Sequence, residues 1–206
     1  MRITKVQSQH NKKRVSIFID GDFCFSLSNE LFVLSGIKEG AEITEIQISN
    51  LKRKDENERA YSYVLLQLGY GLKTEKEIRR KMASQKYSQT AQEYAIEKAK
   101  EYSFIDDKEY CLSFIRQHKS SGGWGKQKMI SSLLVKGIDK ETIYDCMDTE
   151  YSEDEAEKIA YELAVKKYSN IKEKYEPYKV KQKVYAYILS KGYSYDIAKN
   201  VVEKLV

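Results

Sequence analysis

Met129-Ile130-Ser131-Ser132-Leu133-Leu134-Val135-Lys136-Gly137-Ile138 is the stretch whose reading decides the fold. Two other segments align with it without gaps. Ile78-Arg79-Arg80-Lys81-Met82-Ala83-Ser84-Gln85-Lys86-Tyr87 lies 51 residues earlier, and Val184-Tyr185-Ala186-Tyr187-Ile188-Leu189-Ser190-Lys191-Gly192-Tyr193 lies 55 residues later. Each carries apolar residues at its first, fifth and sixth positions and a large apolar residue after a Lys-Gly or Gln-Lys pair. That spacing is one face of an α-helix, and glycine after the last turn is a common left-handed stop. The unit recurs, so each copy is read as a supersecondary module before any residue is given a role.

Working outward, each segment is followed by a second helical stretch whose buried face holds Ala95 and Ile96, Cys146 and Met147, or Val201 and Val202. Upstream of each lies a third, with Ala60, Tyr61, Val64, Leu65 and Leu68, then Tyr110, Cys111, Phe114 and Ile115, then Ala156, Ile159, Ala160 and Leu163. The expectation is a mainly α chain of three tandem three-helix repeats, at 51–105, 106–152 and 153–206. One such unit buries little apolar surface alone, so the repeats are expected to stack into an elongated array. Pro177 is expected to separate a helix ending near Tyr175 from one beginning around Val180.

Residues 1–50 read differently. Val15, Ile17 and Ile19 alternate before Asp20-Gly21-Asp22, and Phe23, Phe25 and Leu27 alternate after it, which predicts a β-hairpin. Ile3 and Val6 could supply an earlier strand, Asn29 the N-cap of a short helix ending near Gly36, and Thr44 the cap of a new helix. This is a small α+β unit that either caps the repeats or uses its basic turn, Lys12, Lys13 and Arg14, for binding.

Composition supports the helical reading: one proline and ten glycines in 206 residues are too few turn residues for a sandwich or barrel. No stretch approaches the roughly 20 apolar residues of a membrane span, and Met1 to His10 is polar, so a cytoplasmic protein is expected. Cys24, Cys111 and Cys146, widely spaced and odd in number, suit reduced thiols, the latter two as small buried hydrophobes. Tyr61, Tyr87, Tyr110 and Tyr193 stand at apolar positions and are expected in the core with the hydroxyl at the surface.

The net charge of +5 conceals a sorting by helix. Lys73 to Lys86 holds six basic and two acidic residues, and Lys126 to Ile138 and Lys179 to Tyr193 hold three and four basic residues with no acid. Glu141 to Glu155 holds seven acids and no base. Stacked repeats would align the basic middle helices along one face suited to a polyanion or an acidic protein groove. The binding residues this selects are Arg79, Arg80, Lys81, Lys126, Lys128, Lys136, Lys181 and Lys183.

Catalysis and metal binding lack support: with only His10 and His118 there is no HExxH, no metal cluster and no nucleophile triad, so no enzyme and no cofactor are expected. Gly122-Gly123-Trp124-Gly125-Lys126 fails as a P-loop, because Ser120 stands five before Gly125 and Gln127 follows Lys126. It is either a connector in which Trp124 packs over a repeat junction or an anion acceptor at its backbone N–H groups. Asp106-Asp107 reads as a helix N-cap and first turn, not as a catalytic pair.

Three motifs in order carry a resemblance. Thr74-Glu75-Lys76-Glu77-Ile78-Arg79-Arg80-Lys81-Met82, Phe104-Ile105-Asp106-Asp107-Lys108-Glu109-Tyr110-Cys111, and the glycine loop leading to Leu133-Leu134-Val135-Lys136-Gly137-Ile138 resemble the RecX family of bacterial recombination regulators. Over Leu51 to Val206 the chain departs from that pattern in two places: Cys111 stands where alanine is usual, and Gln85-Lys86 replaces Lys-Gly. The resemblance implies a monomeric modulator that binds the RecA filament on single-stranded DNA and inhibits its ATPase, strand exchange and coprotease activities. The hairpin unit is similar to the extension of longer members of the family. The competing reading is a helical protein that binds DNA directly, without RecA, through a middle helix used as in a helix-turn-helix.

Overall fold

The hairpin forms where the alternation places it. In the computed structural model, which describes residues 1–10, 13–121 and 123–205, β1 (Ile3–Ser8), β2 (Arg14–Ile19) and β3 (Asp22–Ser28) make one antiparallel sheet in the order β1-β2-β3. Lys12 of the basic turn and Gly122 of the glycine loop lie outside the described residues. Asp20 and Gly21 both take positive φ, 51° and 100°, the type I′ turn that matches strand twist. The sheet buries Ile3, Val15, Ile17, Ile19, Phe25 and Leu27, with Ile43 and Ile48 completing the core.

Ten helices follow among the described residues: α1 (Asn29–Ser35), α2 (Glu45–Leu68), α3 (Glu75–Ser84), α4 (Gln89–Glu101), α5 (Asp107–Ser120), α6 (Lys126–Lys136), α7 (Lys140–Glu150), α8 (Glu153–Ile171), α9 (Pro177–Ser190) and α10 (Tyr195–Leu205). The fold is mainly α, with three three-helix modules, α2–α4, α5–α7 and α8–α10, following the small sheet in chain order. The chain divides into two compact units, the first comprising 1–71 and 78–105 and the second 72–77 and 106–206.

In the first unit Ser28, not Asn29, caps α1, accepting from Leu31 N at 3.2 Å, so Asn29 is already helical. Thr44 closes a capping box with Gln47 at the start of α2. α2 then runs unbroken across residue 50: its first half packs Ile48 against the sheet and its second half contributes Ala60 and Val64 to the core of the first repeat. Between them Asp55, 3% exposed, accepts from Arg14 Nη2 at 2.8 Å, Arg59 Nε at 3.0 Å and Ser28 N at 2.9 Å. That carboxylate ties the sheet to the helix. Ala91, Ala95 and Ala99 of α4 allow close approach to α2, with Ile78, Met82 and Ile96 filling the rest.

The second unit holds two cores of the same plan. Cys111, Ile115, Met129, Leu133, Ile143, Cys146 and Met147 build one, and Ala160, Ala164, Val184, Ile188, Ala198 and Val201 build the other. In all three copies the first and fifth positions of the middle helix are buried, whereas Ala83 and Leu134 at the sixth are exposed and Leu189 is half-buried. The sixth position lies about 100° of helical rotation beyond the fifth and leaves the core face. Leu65 turns outward as well. Tyr193 is 3% exposed, so its hydroxyl is carried inside, while Tyr61, Tyr87 and Tyr110 are half-buried. α8 ends at Ile171, and α9 starts at Pro177 as its first helical residue, three positions before Val180, because proline's missing N–H costs nothing in a first turn.

Candidate functional site

Thr74 and Glu77 form a capping box at the start of α3: Glu77 N donates to Thr74 Oγ1 at 3.3 Å, and Thr74 N donates to Glu77 Oε2 at 3.2 Å. The fully buried Thr74 hydroxyl also donates to the carbonyl of Lys136, the last residue of α6, at 2.8 Å. Lys136 Nζ reaches Glu77 Oε1 at 2.7 Å, and Lys76 Nζ donates to Val135 O at 3.0 Å. The Thr-x-x-Glu and Lys-Gly signatures of the sequence are therefore the two halves of one joint.

A second joint repeats the plan. Gly125 N donates to Lys191 O at 2.9 Å and Gln127 N to Gly192 O at 3.1 Å, seating the C-terminus of α9 on the N-terminus of α6. Gly137 and Gly192 take φ of 94° and 89°, and a Cβ on Gly192 would stand 2.4 Å from Lys128 Cβ. Only glycine allows both the turn and the approach. Each joint sets the negative end of one helix dipole against the positive end of another.

This settles the glycine loop. Trp124 N donates to His118 O at 3.1 Å, Gly125 and Gln127 N–H groups serve the joint, and Lys126 N–H serves the Tyr151 hydroxyl. Among the described residues of the loop, the N–H groups of Trp124, Gly125, Lys126 and Gln127 are thus engaged within the chain, which favours the connector over an anion acceptor. Trp124 itself packs within the second repeat and not over a repeat junction: it stacks on His118 with ring centroids 4.1 Å apart, meets Phe114 edge-on at 6.1 Å, and lies 4.3 Å under Lys128 Nζ. Burial under these rings, with Lys136 and Lys128 nearby, holds His118 below the ordinary imidazole value.

The sequence-selected cations divide between the units. In the first, α3 carries Arg79 and Lys81 half-buried and Arg80 exposed. In the second, Lys126 is half-buried with Nζ 5.8 Å from the Tyr151 ring, Lys128 covers Trp124, and Lys181 and Lys183 are exposed on α9. Lys136 is engaged by Glu77 and lies 5.1 Å over Tyr110. For Glu77, burial works to raise the carboxyl, but the Lys136 and Thr74 hydrogen bonds outweigh it and hold it below the usual value. Lys136 is correspondingly raised: burial opposes its charge, and Glu77 and Tyr110 more than restore it.

Sequence reading missed the aromatic part of this surface. Tyr175 and Tyr178 are exposed beside Lys179, Lys181 and Lys183, with Lys183 Nζ 4.4 Å over the Tyr175 ring and Gln182 Nε2 donating to Tyr178 Oη at 2.7 Å. The interleaving of Tyr and Lys from Tyr175 to Lys183 was the available signal. The acidic run also resolves into parts. Glu153, Asp154 and Glu155 fall in the first turn of α8, where a helix N-terminus favours carboxylates, and Glu150 pairs with Arg116. Asp106 caps α5, accepting from Lys108 N and Glu109 N at 2.9 Å. Cys111 and Cys146 are buried free thiols whose pKa values are raised by burial, and Cys24 is free and half-buried. Among the described residues no group of His, Cys, Asp and Glu could hold a metal, and no helix is long and apolar enough to cross a membrane.

Comparison with known proteins bears on the same four segments. Residues 1–44 match the Regulatory protein RecX N-terminal domain, and 60–98, 106–147 and 153–202 match the first, second and third RecX three-helix domains. A Regulatory protein RecX of Clostridium botulinum (strain Alaska E43 / Type E3) is 37% identical over 98% of this chain and 95% of its own. The chain belongs to the RecX family. A RecX relative of Clostridium perfringens (strain SM101 / Type A) is 32% identical over 99% of this chain and 96% of its own. A crystal structure of regulatory protein RecX matches with a TM-score of 0.78 at 26% identity, covering 98% of both chains. RecX from Lactobacillus salivarius matches with a TM-score of 0.67 at 26% identity over 74% of this chain and 97% of that one.

Proposed function

We propose that this chain is a regulator that binds RecA and its filament on single-stranded DNA and inhibits recombinase, ATPase and coprotease activities in DNA repair. Full-length likeness to proteins named as regulatory, not as enzymes, carries the reading. In the proposal the chain acts as a monomer in the bacterial cytoplasm, needs no cofactor, and uses Arg79, Arg80, Lys81, Lys126, Lys128, Lys181 and Lys183 toward acidic filament surfaces or phosphates. Lys136 then has a supporting role, holding a joint through Glu77. Exposed Tyr175, just before α9, and Tyr178 in its first turn suit stacking on unpaired bases, which is sequence-tolerant and accompanies a basic groove.

The alternative of duplex recognition by a middle helix finds less support. A recognition helix reads bases with its N-terminal residues, and the N-terminus of α6 is seated against Lys191 and Gly192. The test is the DNA-dependent ATPase of RecA with Arg79→Glu/Arg80→Glu. Relief of inhibition with an unchanged helical circular dichroism signal is expected, and unimpaired inhibition by the double variant refutes the assignment. Binding should weaken steeply with salt. Tight, sequence-selective binding to duplex DNA without RecA would favour the alternative.

A further inference from the structure

The first unit contains a feature that the filament reading does not use. α1 is made of Asn29-Glu30-Leu31-Phe32-Val33-Leu34-Ser35, yet none of its residues is fully buried; Val33 and Leu34 are 75% and 77% exposed. Isolated exposed leucines are ordinary, but here Leu31 and Phe32 pack on the sheet core while Val33 and Leu34 stand uncovered side by side, Leu34 on the lining of a cavity. Leu31 and Leu34 form one wall of a groove of about 1100 Å³. Leu51 and Asp55 of α2 and Tyr94 and Lys98 of α4 also line it. That volume exceeds the range of roughly 300–1,000 Å³ typical of small-molecule sites and suits a segment of folded chain.

The charges at the groove are not symmetric. Its acids are largely committed within the unit: Asp55 is buried under Arg14 and Arg59, and Glu58 accepts from Tyr94 Oη at 2.6 Å and Lys98 Nζ at 3.3 Å, leaving Glu30. The network lifts the Tyr94 hydroxyl, chiefly through Glu58, and the Lys98 ammonium, chiefly through Tyr94, so Lys98 is held charged at the rim. Arg53 and Lys54 are exposed on α2, Arg53 touching only Asn50 at 3.5 Å among the contacts described. Asn57, also lining the groove, has a buried Oδ1 with no hydrogen-bond partner among the described residues, the kind of orphan that calls for an explanation.

We infer that this groove is a docking site for an acidic amphipathic helix of a partner protein. Leucine-type side chains of the incoming helix pack on Leu31, Leu34 and Leu51, and its flanking carboxylates meet Arg53 and Lys54. Apolar anchors at helical spacing in a hydrophobic groove give the affinity, and the basic rim sets the charge of the occupant. The inference goes beyond the filament reading and does not depend on it.

The probe is a fluorescein-labelled synthetic helix with a leucine face flanked by glutamates, set against the same helix with lysine at every glutamate. Both are titrated with the full-length protein by fluorescence anisotropy. The acidic helix is expected to bind at least about tenfold more tightly than the basic one, with an affinity that falls as salt rises. Leu34→Glu and Arg53→Glu/Lys54→Glu should each cost about tenfold or more, while Leu66→Glu, an exposed leucine of α2 outside the groove, should leave binding unchanged. Leu34 and the two cations are surface residues, so unchanged circular dichroism is expected of every variant. Failure of the acidic helix to bind, equal binding of the basic helix, or indifference to Leu34→Glu overturns the inference. RecA ATPase inhibition is read separately, so the two proposals fail independently.

Discussion

Gly192→Ala and Lys86→Gly exchange one property between equivalent repeat positions and should move stability in opposite directions. Lys86, Gly137 and Gly192 follow the middle helices of the three repeats with φ of 61°, 94° and 89°. A left-handed conformation costs an L-residue roughly 1–2 kcal/mol, and the stiffer unfolded chain returns about 0.4–1 kcal/mol when glycine becomes alanine. At Gly192 the added Cβ would also stand 2.4 Å from Lys128 Cβ and 2.5 Å from Lys128 N, where backbone cannot yield as a flexible side chain can. Relief requires parting α6 from α9 and stretching the Gln127 N to Gly192 O and Gly125 N to Lys191 O bonds, each worth about 1 kcal/mol net. The sum is a loss of roughly 2–4 kcal/mol for Gly192→Ala. At Lys86 the same backbone term runs the other way, for a net gain of about 0.5–1 kcal/mol. Urea unfolding followed by far-ultraviolet circular dichroism reports the whole chain, and emission of Trp124, the single tryptophan, reports the joint beside it. If Gly192→Ala costs less than about 0.5 kcal/mol, or Lys86→Gly destabilises, the close-approach reasoning is wrong.

Three further outcomes are expected. Asp55→Ala removes the acceptor for Arg14, Arg59 and Ser28 N, and should cost about 2–3 kcal/mol and expose the sheet-to-α2 segment to limited proteolysis; unchanged cleavage would show that apolar packing alone holds the sheet. Thr74→Val keeps the shape but loses both the cap to Glu77 N and the bond to Lys136 O, for a loss of about 1–2 kcal/mol by urea midpoint. His118 binds its proton more weakly in the folded state than in the unfolded chain, so it does not affect stability well above pH 6.5, and stability falls as pH drops below that value until the folded imidazole is also protonated. Trp124 emission should change over the same acid range, and His118→Gln should abolish this component of both; its persistence in the variant would assign it elsewhere.

The repeat was legible because its signal is periodic: buried residues at the first and fifth positions recur three times, and chance does not sustain that over offsets of 51 and 55 residues. The sixth position misled because apolar character alone does not say which edge of the face a residue occupies. Helix termini were less legible for a related reason. Ser28 and Asn29 are both good caps, and the choice depends on Asp55, 27 residues away, holding Ser28 N. Pro177 could equally separate two helices or open one, and its place as the first residue of α9 is settled by the backbone around it.

The candidate site was legible as charge and illegible as geometry. Counting bases selected Lys136 with the same weight as Lys181, yet Lys136 is spent on Glu77 while Lys181 and Lys183 stand exposed beside Tyr175 and Tyr178. The difference lies in a capping box 59 residues upstream, which no local count can see. The departure at Gln85-Lys86 follows the same logic in reverse. Where the Lys-Gly pair occurs, glycine is required by a neighbouring helix end as much as by the turn; a lysine tolerated at φ of 61° bears the cost of the turn alone. A motif of two residues thus encodes two demands, and the copy that departs from it shows which of them a single helix imposes on itself.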